Sequence, residues 1–232
     1  MSLLKVENIS SGYDKKEVIS DISFELKKAQ VATIIGSNGA GKSTVLKTIF
    51  GINDIWGIGG VLFEGKDISQ VKSQELLKKG IVYIGQKNNT FSSLTVDENL
   101  KTAGYIYKKS ILKNEIIRVY DLLPKLKDIN LKKPHELSGG QRQLVALAMG
   151  LLHKPKLILF DEPSAGLDIK NMNEIFSIIQ NMKHQNSISF LIVEHRVKEI
   201  AKITDRWIGL KLGEKIHDAL TVSECNLRDI FL

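Results

Sequence analysis

Apolar and polar positions alternate over the first thirty residues of the chain. The apolar positions of this stretch include Leu4, Val6, Ile9, Val18, Ile22, Phe24 and Leu26. A period of two is typical of β-strands that bury one face and expose the other. The pattern therefore predicts strands at the start of the chain.

The alternation gives way to a continuous apolar run and then to a helical pattern. Residues 31–35 form a short β-branched run, which is expected of a buried parallel strand. Residues 42–50 then follow a helical pattern that ends near Gly51. Further strands are predicted within residues 57–65 and at residues 81–84, where short apolar segments occur.

The middle of the chain becomes helical, and the last third switches repeatedly between strand and helix patterns. The helical stretch runs from about residue 95 to residue 150. After it, strands are predicted at 157–160, 188–193 and 207–212, and helices at 171–183 and 197–203. Strands alternating with helices favour a parallel sheet. We expect one domain whose sheet carries an inserted helical lobe.

The composition is that of an ordinary globular protein. Of the 232 residues, 43% are hydrophobic and 25% are charged. The longest apolar runs, such as residues 145–152, are far shorter than the roughly 20 residues that span a bilayer. No basic leader precedes an apolar run at the start, and the single Cys225 cannot form an intramolecular disulfide. We therefore expect a cytoplasmic protein without a signal peptide.

The formal net charge of +7 is compatible with several anionic partners, among them nucleotides, nucleic acid and lipid headgroups. The lysines are spread along the chain instead of being clustered in one arm. Solvated surface faces explain this distribution better than a nucleic-acid footprint does. We expect no nucleic-acid partner.

A glycine-rich loop lies between the predicted strand at 31–35 and the helix at 42–50. It matches G-x-x-x-x-G-K-[ST] in the strand–loop–helix context of a phosphate-binding loop, rather than a turn with an incidental lysine. Its N–H groups and the helix N-terminus attract anions. Lys42 can reach the β- and γ-phosphates, and Ser43 can supply a hydroxyl to Mg²⁺. The expected nucleotide-binding residues here are Gly36, Ser37, Asn38, Gly39, Ala40, Gly41, Lys42, Ser43 and Thr44.

Two adjacent carboxylates follow the predicted strand at 157–160. A buried strand has no use for Asp161 and Glu162 unless they lie at its mouth, where ligands bind in open parallel sheets. Asp161 is the natural partner of hydrated Mg²⁺, and Glu162 could polarise an attacking water as general base. The alternative is that one acid merely caps the element that follows Pro163.

The segment Leu137–Gln141, LSGGQ, has the signature of a helix N-terminus. Ser138 can cap the helix, and the glycines leave backbone amides exposed. Such a helix start can bind an anion by the same physics as the phosphate-binding loop. An ordinary capped helix after a turn is the alternative.

These three motifs, in this order, resemble those of ATP-binding cassette (ABC) ATPase subunits, and the resemblance covers nearly the whole chain. It implies an α/β fold of the P-loop NTPase (RecA-like) type. A mostly parallel sheet would carry an N-terminal antiparallel β subdomain and an inserted α-helical subdomain. Residues 1–232 would form one nucleotide-binding domain, with a helical lobe at about 88–150 and the core and β lobe at about 1–87 and 151–232.

The resemblance assigns roles to four more positions. Tyr13 would stack on the adenine, and Gln86 would contact Mg²⁺ and sense a membrane subunit. Residues 164–168 would communicate between two ATP sites, and His195 would hold the γ-phosphate and the lytic water. The plainer alternatives are a strand-end tyrosine, a loop glutamine, a turn and a surface histidine.

The resemblance also divides the site into groups. The expected catalytic residues are Lys42, Gln86, Glu162 and His195, and the expected metal ligands are Ser43, Gln86 and Asp161. The residues expected to close over a partner's ATP are Ser138, Gly139, Gly140 and Gln141.

Residues 86–100 resemble the corresponding segment of ATPase subunits that drive branched-chain amino acid import. Residues 123–127 and 193–196 resemble the same group. These importers carry two different ATPase subunits, and the chain mixes traits of both. Gly85 stands where a proline is expected before the glutamine.

The expected function is that of an ATP-hydrolysing motor subunit without membrane helices of its own. Its cofactors would be ATP and Mg²⁺, and its partners a second cassette, identical or paralogous, and integral-membrane permease subunits. It would lie on the cytoplasmic side of the cell membrane, as a peripheral subunit. A soluble ABC ATPase acting on nucleic acid or ribosomes, and a catalytically inactive regulatory module, are the alternatives.

Overall fold

The computed structural model describes residues 2–87, 89–225 and 227–231. The strands are β1 (Ser2–Tyr13), β2 (Lys16–Lys27), β3 (Val31–Gly36), β4 (Gly60–Phe63), β5 (Lys66–Asp67), β6 (Ile81–Ile84), β7 (Leu157–Asp161), β8 (Ser189–Val193), β9 (Arg206–Lys211) and β10 (Glu214–Ala219). The helices are α1 (Lys42–Ile49), α2 (Ser73–Lys79), α3 (Val96–Ala103), α4 (Lys109–Leu122), α5 (Gly139–Leu151), α6 (Ile169–Asn186), α7 (Val197–Ile200) and α8 (Leu227–Phe231).

The alternating start of the chain forms an antiparallel sheet with the strand order β2-β1-β4-β5. β1 pairs antiparallel with both β2 and β4. The apolar positions Leu4, Val6 and Ile9 are buried, as the period-two pattern predicts. The prediction of strands at the start of the chain is confirmed.

The second sheet has the order β10-β9-β3-β8-β7-β6. The pairs β3–β9, β3–β8, β7–β8 and β6–β7 are parallel, and β10 is the antiparallel edge strand. β3 leads into the phosphate-binding loop, and β7 ends at Asp161, the first of the two acids. These two strands flank β8. Parallel pairing brings the carboxyl ends of all three to one edge of the sheet, where ligands bind in open α/β folds.

This sheet is the middle layer of the molecule, because its two faces belong to different hydrophobic clusters. Phe190 and Ile192 of β8 pack with the helices, including α5 and α6. Leu191 and Val193 pack with α1 and the antiparallel sheet. Neighbouring side chains of a strand point to opposite faces, so continuous apolar strands such as β8 fill both sides.

The helical stretch of the sequence forms α3, α4, α5 and two short 3₁₀ turns, Pro124–Ile129 and Pro134–Glu136. α3 begins with a capping box in which Thr95 and Glu98 bond reciprocally to each other's backbone. Among the described residues, no helix combines the length and the apolar content needed to cross a membrane.

Several elements were not predicted from the sequence, because their apolar positions show only a weak periodicity. The elements that the pattern did not indicate are β5, α2, β10 and α8. α2 has seven residues and buries only Leu76, and the residues of β10 alternate between exposed and half-buried. α6 begins at Ile169 instead of 171, because the Asp168 side chain accepts a hydrogen bond from the N–H of Asn171.

Truncation of a central strand residue should test the layered core. Phe190 is fully buried, so Phe190→Ala should lower the free energy of unfolding by about 3–5 kcal/mol. Ile169→Ala is the control, because this side chain is 67% exposed and its loss should cost less than about 0.5 kcal/mol. Urea titration followed by circular dichroism measures both. Equal effects of the two substitutions would contradict the assigned core.

Candidate functional site

The phosphate-binding loop connects the end of β3 to the start of α1. Gly41, the residue before α1, has a left-handed φ of 95°, and a Cβ there would lie 2.5 Å from Ile19 Cγ2. Only glycine fits this backbone without strain. No side chain caps the N-terminus of α1, so its first N–H groups keep their capacity to bind an anion.

Lys42 lies against the loop that it follows. Its Nζ donates to the carbonyl oxygens of Gly36 at 3.0 Å and Ser37 at 2.8 Å. Burial lowers the pKa of the Lys42 ammonium, although the nearby carboxylates Glu162 and Asp161 favour its charged form. The Lys42 ammonium therefore lies between the loop and the two acids, where it would contact a phosphate bound by the loop.

Asp161, the last residue of β7, faces the first turn of α1. Its carboxylate accepts hydrogen bonds from Ser43 Oγ at 2.9 Å and from Tyr83 Oη at 3.2 Å. Burial raises the pKa of the Asp161 carboxyl, while both hydrogen bonds act in the opposite direction. The structure thus joins Ser43 and Asp161, and it adds Tyr83, which no sequence motif indicated.

Glu162 links two of the residues that sequence reasoning placed in the site. Its carboxylate accepts a hydrogen bond from Gln86 Nε2 and lies 2.8 Å from His195 Nε2. Its backbone is left-handed, with φ at 52°, a conformation that is rare for non-glycine residues. Such a conformation persists only where the surrounding structure holds it in place.

Glu194 is a third acid of the site, and sequence reasoning gave it no role there. It is 2% exposed, and its carboxylate accepts from the backbone N–H of Ser164, His195 and Arg196 at 3.3, 2.7 and 3.1 Å. One buried carboxylate therefore holds the segment after Glu162 against the segment that contains His195. An acid at the end of an otherwise apolar strand is the signal that could have found it.

The segment after β6 is braced by two asparagines. Asn89 exchanges hydrogen bonds with the backbone of Gly85, next to Gln86. Asn99 is fully buried and bonds to the backbone of Phe91, Leu94 and Thr95. Both asparagines lie in the segment 86–100 that sequence reasoning singled out, but it gave neither of them a role of its own.

Tyr13 ends β1 beside the C-terminal half of α1. Lys47 Nζ lies 3.4 Å from its hydroxyl and 5.6 Å from its ring centroid. The side chain is 43% exposed, which leaves ring surface open to a flat ligand.

The LSGGQ segment caps α5 as predicted. Ser138 Oγ accepts from the N–H of Gln141 at 3.3 Å, and Gln141 Oε1 accepts from the N–H of Ser138 at 2.9 Å. Ser138, Gly140 and Gln141 line a cavity of about 290 Å³, and no residue of the phosphate-binding loop lines it. A separate cleft of about 600 Å³ lies between Gln86 and Gly139. Within one chain, the cap therefore lines a cavity to which the phosphate-binding loop does not contribute.

Residues 164–168 lie between Glu162 and α6. Arg196 Nη2 donates to the carbonyl of Leu167 at 3.0 Å, and Asp168 caps α6. This segment is therefore tied to the His195 side of the site through both Glu194 and Arg196.

The donor set fits Mg²⁺. No group of three or more His, Cys, Asp or Glu side chains that could hold a metal occurs in the described part of the chain. The Ser43 hydroxyl, the Asp161 carboxylate and the Gln86 amide oxygen are hard oxygen donors instead, and Mg²⁺ takes few protein ligands and keeps several waters. Ser43 and Asp161 are in contact, and Gln86 contacts the residue after Asp161.

The sequence also matches a known family over most of its length. Residues 19–165 match the family described as ABC transporter. The chain belongs to the ABC transporter family. It is therefore an ATP-binding cassette, an ATPase coupled to transport.

The cassette is similar to ATP-binding proteins that are named for the transport of different solutes. It is 34% identical to the high-affinity branched-chain amino acid transport protein BraG of Pseudomonas aeruginosa, over 99% of each chain. It is 34% identical to the probable branched-chain amino acid transport protein LivF of Archaeoglobus fulgidus, over 88% of this chain and 86% of the relative. A phosphonates import protein of Oceanobacillus iheyensis is 33% identical, over 94% of this chain and 90% of the relative.

Solved cassettes confirm the fold class. A nucleotide-free ATP-binding cassette from an ABC transporter has a TM-score of 0.89 at 30% identity, over 99% of this chain and 95% of the other. The ADP conformation of another cassette has a TM-score of 0.87 at 31% identity, over 97% and 93%. The predicted α/β P-loop architecture is therefore correct, and nucleotide binding is a property of this fold family.

Removal of the Lys42 ammonium should test the phosphate-binding loop. Lys42→Ala should weaken ATP binding about tenfold or more, because a hydrogen bond to a charged group contributes about 1.5–3 kcal/mol. Lys66→Ala, at an exposed lysine of β5, should leave the affinity unchanged. Fluorescent ATP titration measures both. Retained affinity in Lys42→Ala would contradict the assignment.

Proposed function

We propose that this cassette is the ATP-hydrolysing subunit of an importer for branched-chain amino acids or related small solutes. The observation that carries the proposal is the contact of Glu162 with both Gln86 and His195, beside the Ser43–Asp161 pair. The relatives named for branched-chain amino acids, matched over most or all of their length, support the solute class.

Each site residue has a proposed role in hydrolysis. Residues 36–44 bind the phosphates, with Lys42 on the β- and γ-phosphates and Tyr13 under the adenine. Mg²⁺, held by Ser43, Asp161 and Gln86, would neutralise charge on the phosphate oxygens.

The proposed general base is Glu162. It accepts a proton from the attacking water, and His195 orients that water and the γ-phosphate. The hydrogen bond between His195 Nε2 and Glu162 Oε1 fixes these two side chains relative to each other.

A second cassette would complete the site. Ser138, Gly139, Gly140 and Gln141 present a capped helix N-terminus, and the cavity lined by Ser138, Gly140 and Gln141 is lined by no residue of this chain's own phosphate-binding loop. Such a terminus attracts phosphate, so residues 138–141 would close over ATP held by the partner. Loss of the γ-phosphate would remove the contacts that join the two subunits.

The proposed contact with the permease is the segment 86–99. Phe91 is half exposed, while its backbone is held by the buried Asn99. An exposed aromatic side chain on a backbone that is held in this way suits the docking of a partner helix. The cassette would then lie on the cytoplasmic face of the membrane.

Glu162→Gln should separate binding from turnover. Loss of the general base should lower kcat about 100-fold or more, while ATP affinity stays within about twofold and a nucleotide-bound dimer accumulates. Glu214→Gln, at an exposed position of β10, should hydrolyse ATP normally. Phosphate release and size-exclusion chromatography are the measurements. Full turnover in Glu162→Gln would remove this residue from the base role.

Phe91→Asp should test the docking segment against the nucleic-acid alternative. A buried charge at the interface should reduce recovery of co-expressed permease subunits about tenfold or more, with unchanged ATP affinity. Leu212→Asp, at an exposed turn, is the matched control. Equal recovery with both variants would remove the segment from the interface. Retention of the native cassette on RNA at moderate salt would favour the alternative function.

A further inference from the structure

Tyr83 contacts the proposed metal site from outside every motif of the sequence. It lies in β6, three residues before Gln86, and its hydroxyl donates to Asp161 Oδ2 at 3.2 Å. Ser43 donates to the other oxygen of the same carboxylate at 2.9 Å. The two oxygens of Asp161 therefore have different partners, one from α1 and one from β6.

The sheet register explains how Tyr83 reaches this carboxylate. β6 and β7 pair in parallel, with Tyr83 opposite Leu159. Asp161 lies two residues after Leu159 and so projects from the same face of the sheet. A tyrosine side chain is long enough to reach such a diagonal neighbour on the adjacent strand.

Two neighbours, Phe50 and Gly85, lie close to the Tyr83 side chain. Its centroid lies 5.7 Å from that of Phe50, the residue after α1, with the planes tilted by 31°. A Cβ at Gly85 would lie 3.5 Å from both the ring edge and the hydroxyl. The backbone just before Gln86 therefore passes close to the hydroxyl that contacts Asp161.

Burial makes this single hydroxyl energetically significant. Asp161 is 3% exposed, so little water can replace a lost donor. A hydrogen bond to a buried charged group is among the stronger hydrogen bonds in proteins.

We propose that Tyr83 is a positioning residue of the magnesium site: its hydroxyl holds one oxygen of Asp161 and so orients the carboxylate toward Ser43 and the metal. The proposal rests on the metal-binding role proposed for Asp161. β6 ends shortly before Gln86, one of the proposed metal ligands. Through Tyr83, the same strand also orients Asp161, another proposed ligand.

Tyr83→Phe removes this hydroxyl and little else. The measurement is the affinity for a fluorescent ATP analogue, first in EDTA and then across a Mg²⁺ titration, which needs no turnover. Tyr83→Phe should raise the Mg²⁺ concentration for half-maximal enhancement about fivefold, while the affinity in EDTA stays within about twofold. Mn²⁺ binding to the ATP complex, followed by electron paramagnetic resonance, should weaken by the same factor.

Tyr120→Phe is the matched control. Tyr120 also directs its hydroxyl at an aspartate, Asp97, at 3.5 Å, in the helical part of the molecule. This substitution should leave the Mg²⁺ dependence unchanged. Thermal unfolding of both variants in EDTA reports whether either is misfolded. A Tyr83→Phe variant with EDTA affinity and Mg²⁺ dependence impaired alike, or with both unchanged, would overturn the proposal.

Asp161→Asn separates failure of the inference from failure of the proposed function. If Asp161→Asn impairs the Mg²⁺ dependence and Tyr83→Phe does not, only the role of Tyr83 is wrong. If neither substitution has an effect, the metal role of Asp161 is wrong as well. Because Tyr83 acts through Asp161, adding Tyr83→Phe to Asp161→Asn should cause no further change. An additive effect in the double variant would overturn the positioning role.

Discussion

Parallel pairing of β3, β8 and β7 is the constraint on which the site depends. It places Gly36, Asp161 and Val193 at one edge of the sheet, although Gly36 lies more than a hundred residues before the other two in the chain. The phosphate-binding loop, Glu162 and His195 come after the ends of these strands. They therefore lie near one another at the same edge of the sheet. Hydrophobic packing on both faces holds this alignment, so the geometry of the candidate site rests on the same apolar residues that stabilise the fold.

Much of this arrangement could be predicted from the sequence, because strong periodicity marks buried elements. The continuous run at 31–35 and the helix at 42–50 were placed within a residue or two, since burial on both faces leaves few polar positions. α2 and β10 could not be predicted because each is short and half-exposed, and their structure is imposed by neighbouring elements.

The site was predictable where a motif concentrates its chemistry in consecutive residues. Sequence reasoning predicted both Ser43 and Asp161 as metal ligands, and the structure shows that the two side chains are in contact. The end of an apolar strand marks the position of Glu194, but its partners, like those of Tyr83, were not foreseeable, because backbone N–H groups and sheet register fix them. These contacts have no local pattern of residue types.

The buried carboxylate of Glu194 has a consequence for how variants of this cassette are interpreted. It binds the backbone of the loop that follows Glu162 and of the segment containing His195, so these two segments share one anchor. Replacement of Glu194 would leave three N–H groups without their acceptor and disturb both sides of the centre together. A genetic screen would then find substitutions at position 194 harmful, although the hydrogen bonds that its carboxylate accepts in the described part of the chain come from backbone N–H groups.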